Sequence, residues 1–170
     1  MSDKPEVLAI LQNQWFKNPE RVREIYASHN GDRIRDSKFR AAALFMGCLT
    51  GRRIAQAFGD EWRHRIAYEE ASPVITQYAS ASPCFDALHI RHAMNFWKPK
   101  VVIAFGKTAL NGLRVATKLP LDGWSFKTII APHPAARHPG VALELSAAAQ
   151  ELNDWSRSES NRENHGADVA

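Results

Sequence analysis

The 170-residue chain has only two cysteines, Cys48 and Cys84. Two thiols make neither a disulfide framework nor a four-cysteine metal or iron–sulfur site, so reduced, partly buried thiols are expected. Long hydrophobic runs are also missing. No apolar stretch approaches the roughly 20 residues that cross a bilayer, and the opening MSDKPEV lacks the basic and apolar regions of a signal peptide. These absences predict a soluble, cytoplasmic protein with no membrane partner. There is no internal repeat and no G-x-S-x-G elbow of a serine hydrolase. Gly106-Lys107-Thr108 matches the end of a nucleotide-binding P-loop, but that motif needs a glycine where Val101 stands, which excludes ATP binding of this type. His89 and His92 are spaced i, i+3, with His64, His133 and His138 elsewhere. No carboxylate or cysteine joins them at ligand spacing, so no metal and no other cofactor is expected.

What is present suits one folded domain. Hydrophobic residues make up 45%, enough for a core at this length. The net charge of +4 is uneven. Residues 151–170 hold two arginines and five acids, a balance of −3, which leaves +7 on residues 1–150. A body this basic suits a polyanionic partner. The end of the chain, 156–170, is polar and without periodicity, and reads as a disordered tail behind a domain at 1–155.

Within that domain short apolar runs alternate with amphipathic stretches. Val7–Leu11 (VLAIL), Val101–Phe105 (VVIAF) and Lys127–Ala131 (KTIIA) read as buried strands. Ile66–Val74 is a short strand at best, because Pro73 interrupts it. Helices are expected at Pro19–Ser28, at Gly51–Phe58 with Thr50 as N-cap, at Phe85–Trp97, at Thr108–Lys118 and at Val141–Trp155. Ala41–Met46 is either a strand or the lead-in to a helix. The alternation predicts a three-layer α/β/α sandwich with a mainly parallel central sheet, and ligands in such folds sit beyond the carboxyl ends of the strands.

Three strand ends carry groups that suit chemistry or anion binding. Gln12-Asn13-Gln14-Trp15-Phe16 follows the first strand, Gly106-Lys107-Thr108 follows VVIAF, and PHPAARHP follows KTIIA. The order of strand, polar loop, KPKVVIAFGKTAL, strand and PHPAARHP resembles the uracil-DNA glycosylase superfamily over roughly Val7 to Pro139. Its members position a water with an Asp or Asn after the first strand. They carry a Lys-Pro-strand-Gly-Lys-x-Ala segment, and they end in a His-Pro-Ser or His-Pro-Ala loop that enters the minor groove. The sequence departs from that pattern in three places. Gln14 replaces the first-loop proline, Glu69 and Glu70 stand where the base-reading Asn is usual, and the four cysteines of the iron–sulfur branch are missing.

The resemblance implies a monomeric, monofunctional DNA glycosylase that flips a base, hydrolyses its N-glycosidic bond and leaves an abasic site. His133 would contact the leaving base, Asn13 would position the water, and the Gln12 backbone N–H would touch the base. Trp15, Phe16 and Phe45 are candidates to stack on it. A carboxylate at Glu69 or Glu70 suits an exocyclic amine better than the O4 of uracil. That points to a cytosine-type or modified base, as in phage DNA and defence against it, ahead of plain uracil. Solvation or pairing with nearby arginines is the other reading of both glutamates. For DNA contacts the candidates are Arg52 and Arg53 at a helix start, Gly106, Lys107 and Thr108 at another, and Ala135, Arg137 and His138 in the wedge loop. A catalytically silent DNA-binding module on the same fold and a small-nucleoside hydrolase are the competing functions.

Overall fold

The computed structural model describes residues 4–12, 16–46, 48–77, 84–118, 121 and 123–166. Among them are four strands: β1 (Val7–Leu11), β2 (Ile66–Glu70), β3 (Val101–Phe105) and β4 (Lys127–Ala131). The helices are α1 (Pro19–Ser28), α2 (Arg33–Phe45), α3 (Leu49–Phe58), α4 (Asp60–Arg63), α5 (Ala87–Trp97), α6 (Gly106–Ala116) and α7 (Val141–Gly166). The strands form one parallel sheet in the order β2-β1-β3-β4. The protein is therefore a three-layer α/β/α sandwich. None of the described helices is long and apolar enough to cross a membrane.

Central strands buried on both faces need continuous apolar runs, and VLAIL and VVIAF supply them. Alternation along the strands splits the core in two. Val7, Ala9, Leu11, Tyr68, Ile103 and Phe105 face α3 and α7, where Ile54, Phe58, Leu145 and Leu152 pack. Leu8, Ile10, Ala67, Val102 and Ala104 face α5 and α6, against Ile90, Met94, Trp97 and Leu113. Each large side chain so buried contributes about 1.5–3 kcal/mol.

The elements differ from the sequence reading in several places, and three of the differences have a clear physical reason. Helix α2 begins at Arg33, well before Ala41, and Asp32 caps it by accepting N–H bonds from Ile34 and Arg35. It lies along the outer edge of β2. Ser37 Oγ accepts the Tyr68 N–H at 2.9 Å, and Arg40 donates to the Tyr68 carbonyl at 3.2 Å. An edge strand whose backbone is satisfied in this way is closed to other chains. Helix α3 starts at Leu49 with Cys48 as its cap: Cys48 Sγ accepts the Gly51 N–H at 3.3 Å. Thr50 lies inside the helix. Helix α7 continues past Trp155 to Gly166 in place of the expected disordered tail. Its far end is held by pairs one turn apart, Arg157 with Asp154 and Arg162 with Glu159, which support a helix without any apolar stripe.

Candidate active site at the carboxyl edge of the sheet

Strand β3 turns directly into α6 at Gly106, whose φ is +85°. A Cβ at this position would lie 3.0 Å from the Cβ of His133. Glycine thus meets two needs, the positive φ and the close approach of the loop after β4. No side chain caps α6, so the N–H groups of its first turn open beside His133. That end of the helix carries the positive pole of its dipole. Lys107 is exposed and Thr108 half-buried at the same end.

His133 is half-buried in a tight turn. Its Nδ1 accepts the Ala135 N–H at 3.2 Å, and its carbonyl accepts the Ala136 N–H at 2.8 Å. An acceptor Nδ1 leaves the ring proton on Nε2. Burial also holds the imidazole below its ordinary pKa. At neutral pH the side chain is a neutral donor through Nε2–H, with its tautomer fixed by its own loop.

Arg53 holds that loop from α3. Its Nη1 donates to the Pro134 carbonyl at 2.6 Å and to the Ala136 carbonyl at 2.7 Å. The sequence suggested a phosphate contact for Arg53, whereas in the fold its guanidinium is a brace for the His133 turn. Gly51 is buried, and a Cβ there would stand 1.8 Å from the Leu44 carbonyl oxygen. The start of α3 is thus wedged against the end of α2. Arg52 is exposed, as are Arg137 and His138 beyond Ala135. The His138 ring lies 3.6 Å from the Glu144 carboxylate at the surface.

The first loop is only partly in view. Gln12 is half-buried, while Asn13 and Trp15 lie outside the described residues. Phe16 stacks on Phe39 with ring centroids 6.4 Å apart, in a cluster that includes Tyr26 and His29. Phe45 meets Tyr68 edge-on at 5.8 Å and carries the Arg63 guanidinium 4.7 Å above its ring. Both phenylalanines are therefore engaged in packing.

The two adjacent glutamates have opposite surroundings. Glu69 faces the α5 side and is 1% exposed. Its Oε1 accepts from Arg33 at 3.2 Å and from the Trp97 indole at 2.9 Å, and its Oε2 lies 2.9 Å from Arg40. His89 Nε2 stands 3.9 Å from the same Oε2, and burial lowers the pKa of this imidazole. Glu69 thus ties α2 and α5 to the edge strand. Glu70 points to the other face and is 5% exposed, and its Oε2 is buried without a hydrogen-bond partner among the described residues. Burial pushes its carboxyl up to about 8, against the pull of Arg40 and helped by the charge of Glu69.

Gln12, Glu70, Gly106 and His133 are therefore arrayed along one edge of the sheet, at the ends of β1, β2, β3 and β4. The brace from Arg53 escaped sequence reasoning, because its partners are far off in the chain and no local spacing marks them, whereas Glu69 takes up the arginine pairing that was one of its two readings, with Arg33 and Arg40 as the partners. No protein-family model matches the chain, and a search of curated proteins finds no match.

Proposed function

We propose that the protein is a monofunctional DNA glycosylase acting on a flipped pyrimidine base. One observation carries this reading: His133 is a neutral, half-buried imidazole whose Nε2–H is left to donate, beside the open N-terminus of α6 at the carboxyl edge of the sheet. Heterolysis of an N-glycosidic bond leaves the electron pair on the base and an oxocarbenium-like sugar. A fixed donor aimed at a base oxygen stabilises the first more in the transition state than in the ground state. A neutral imidazole does this without giving up a proton. Water then adds to C1′, and its proton is released to the departing base or to solvent. Asn13 is the residue we assign to orienting that water, on sequence grounds.

The basic body and the exposed Lys107, Arg52 and Arg137 support a polymer partner in this reading. We place the enzyme in the cytoplasm as a monomer, acting on uracil or on a cytosine-type or modified base such as phage DNA carries.

The test is alkali-labile strand cleavage on DNA containing uracil, mismatched uracil, hydroxymethylcytosine or glucosylated hydroxymethylcytosine, beside unmodified DNA. The wild type should cut at least one of the base-bearing substrates. His133→Ala should lower kcat by about 10²- to 10³-fold, the usual effect of removing one preorganised donor. Salt-sensitive binding without any cleavage would instead establish a silent DNA-binding module.

A further inference from the structure

The edge of the sheet opposite His133 is rich in cations. The parallel strands begin there, and three adjoining hollows meet at Pro5, just ahead of β1. Lys4 borders two of the hollows, and so does His64, which with Arg65 leads into β2. Lys98 and Lys100, just ahead of β3, line one of them, and Lys38 of α2 and Arg63 of α4 line another. Glu6 is the only acid among the described residues that border these hollows. Several of the cations are set in place by aromatic rings. Arg63 lies 4.7 Å over the Phe45 ring and Arg65 4.3 Å over that of Trp62. Lys4 lies 4.0 Å over Phe96 and donates to the Phe96 backbone carbonyl at 2.9 Å. A ring orders a cation without cancelling its charge. Lys38 and Lys98 are exposed, with no acidic partner among the described residues. Lys100 pairs with Glu6 at 2.6 Å, an exposed contact that holds neither group firmly.

We propose that this amino edge is a second, sequence-independent site for the phosphate backbone of duplex DNA, so that one molecule holds two DNA segments at opposite ends of its strands. The choice of DNA among polyanions rests on the glycosylase reading above. The cations are spread over three hollows and do not converge in one, which suits a chain of phosphates better than a single small anion. Phe45, Trp62 and Phe96 each carry a cation over the ring, so those faces are not offered to unstacked bases. A duplex, with its bases turned inward, therefore fits better than a single strand. The strands of five residues put about 16 Å between the two edges, which face opposite ways. A duplex lying across the carboxyl edge reaches the amino edge only through a bend that DNA resists, so the second site takes a second segment. Contact there keeps the molecule on the polymer while the His133 edge lets go of one segment and takes up another.

The experiment mixes the full chain with two short unmodified duplexes, one carrying a donor dye and the other an acceptor. Energy transfer between them should appear with the wild type at low salt, and sedimentation should give a complex of one chain with two duplexes when DNA is in excess. Lys38→Gln/Arg65→Gln/Lys98→Gln should abolish the transfer and leave a complex of one chain with one duplex. Measured in the Lys107→Ala/Arg137→Ala background, where the amino edge carries the binding, the same three changes should lower the slope of log Kd against log salt by about three. Arg65 packs on Trp62, so Lys38→Gln/Lys98→Gln serves as a second variant that leaves this contact intact; it should weaken the transfer and lower the slope by about two. A wild type that takes one duplex only, or transfer that survives the triple variant, overturns the proposal. Displacement of the second duplex by inorganic polyphosphate at a lower phosphate concentration than competitor duplex requires would overturn DNA as the occupant. Base excision is scored separately. Cutting by a chain that holds one duplex sinks this inference alone, whereas two bound duplexes without cutting sink the glycosylase reading and leave the amino-edge site standing.

Discussion

Glu69 and Glu70 show how far a single position decides the chemistry of a side chain. One is paired with two guanidinium groups and accepts from an indole, and the other is buried with an oxygen that has no partner among the described residues. The difference has a thermodynamic consequence for Glu70. The folded chain keeps the proton to about pH 8, whereas the unfolded chain loses it near the ordinary carboxyl value of 4.5. Stability from this group is therefore complete below pH 4.5 and is lost as pH rises through 8. The slope in that window is at most about 1.4 kcal/mol per pH unit. Glu70→Gln does not titrate and should remove the slope. Its urea midpoint should match that of the wild type near pH 4.5 and exceed it at pH 8. Parallel pH profiles for the two proteins would mean that Glu70 ionises normally in the fold.

Elements position the site by bracing one another, and the brace from α3 to the β4–α7 loop is the clearest case. Arg53 Nη1 bridges two carbonyls that flank Ala135, so it sets the turn in which Ala135 N–H fixes the His133 tautomer. Arg53→Ala should free the turn and lower kcat on the order of 10²-fold, as small misplacements of a catalytic group do. KM should change little, and Arg53→Lys should recover part of the loss. A variant that raised KM alone would assign Arg53 to DNA binding instead. Much of this scaffold was legible beforehand. The bounds of β1, β3, β4 and α1 follow from apolar runs and from the Asn18-Pro19 helix start, which local chemistry dictates. The nearness of Gly106 and His133 followed from their both lying at strand ends. Helix α2 was only half visible, because the side it turns to β2 carries Ser37 and Arg40, which satisfy a strand edge and break the apolar stripe that marks a helix. The division of labour between Glu69 and Glu70 was hidden for the same reason: alternation puts them on opposite faces, but only α2 wrapping the edge decides which face holds the arginines.

At the scale of the whole molecule the charge distribution becomes a directional argument. Residues 1–150 carry +7, while residues 151–170 carry −3 and lie largely on the far half of α7. The basic groups that flank the carboxyl edge include exposed Lys107 at the start of α6 and exposed Arg137 beyond the His133 turn. A DNA backbone crossing this edge would release counterions from the phosphates that these two side chains neutralise. Each such contact contributes close to one unit to the slope of log Kd against log salt. The double variant Lys107→Ala/Arg137→Ala should therefore bind more weakly at low salt and reduce that slope by about two. Neither residue holds the base or the leaving group in our assignment, so cleavage at saturating DNA should keep its rate, and the loss should appear in KM. The site and the basic surface would then be one interface. An unchanged slope would place the DNA elsewhere on the basic body. The strand-end site would then lack its polymer, and free nucleosides would become the substrate to try.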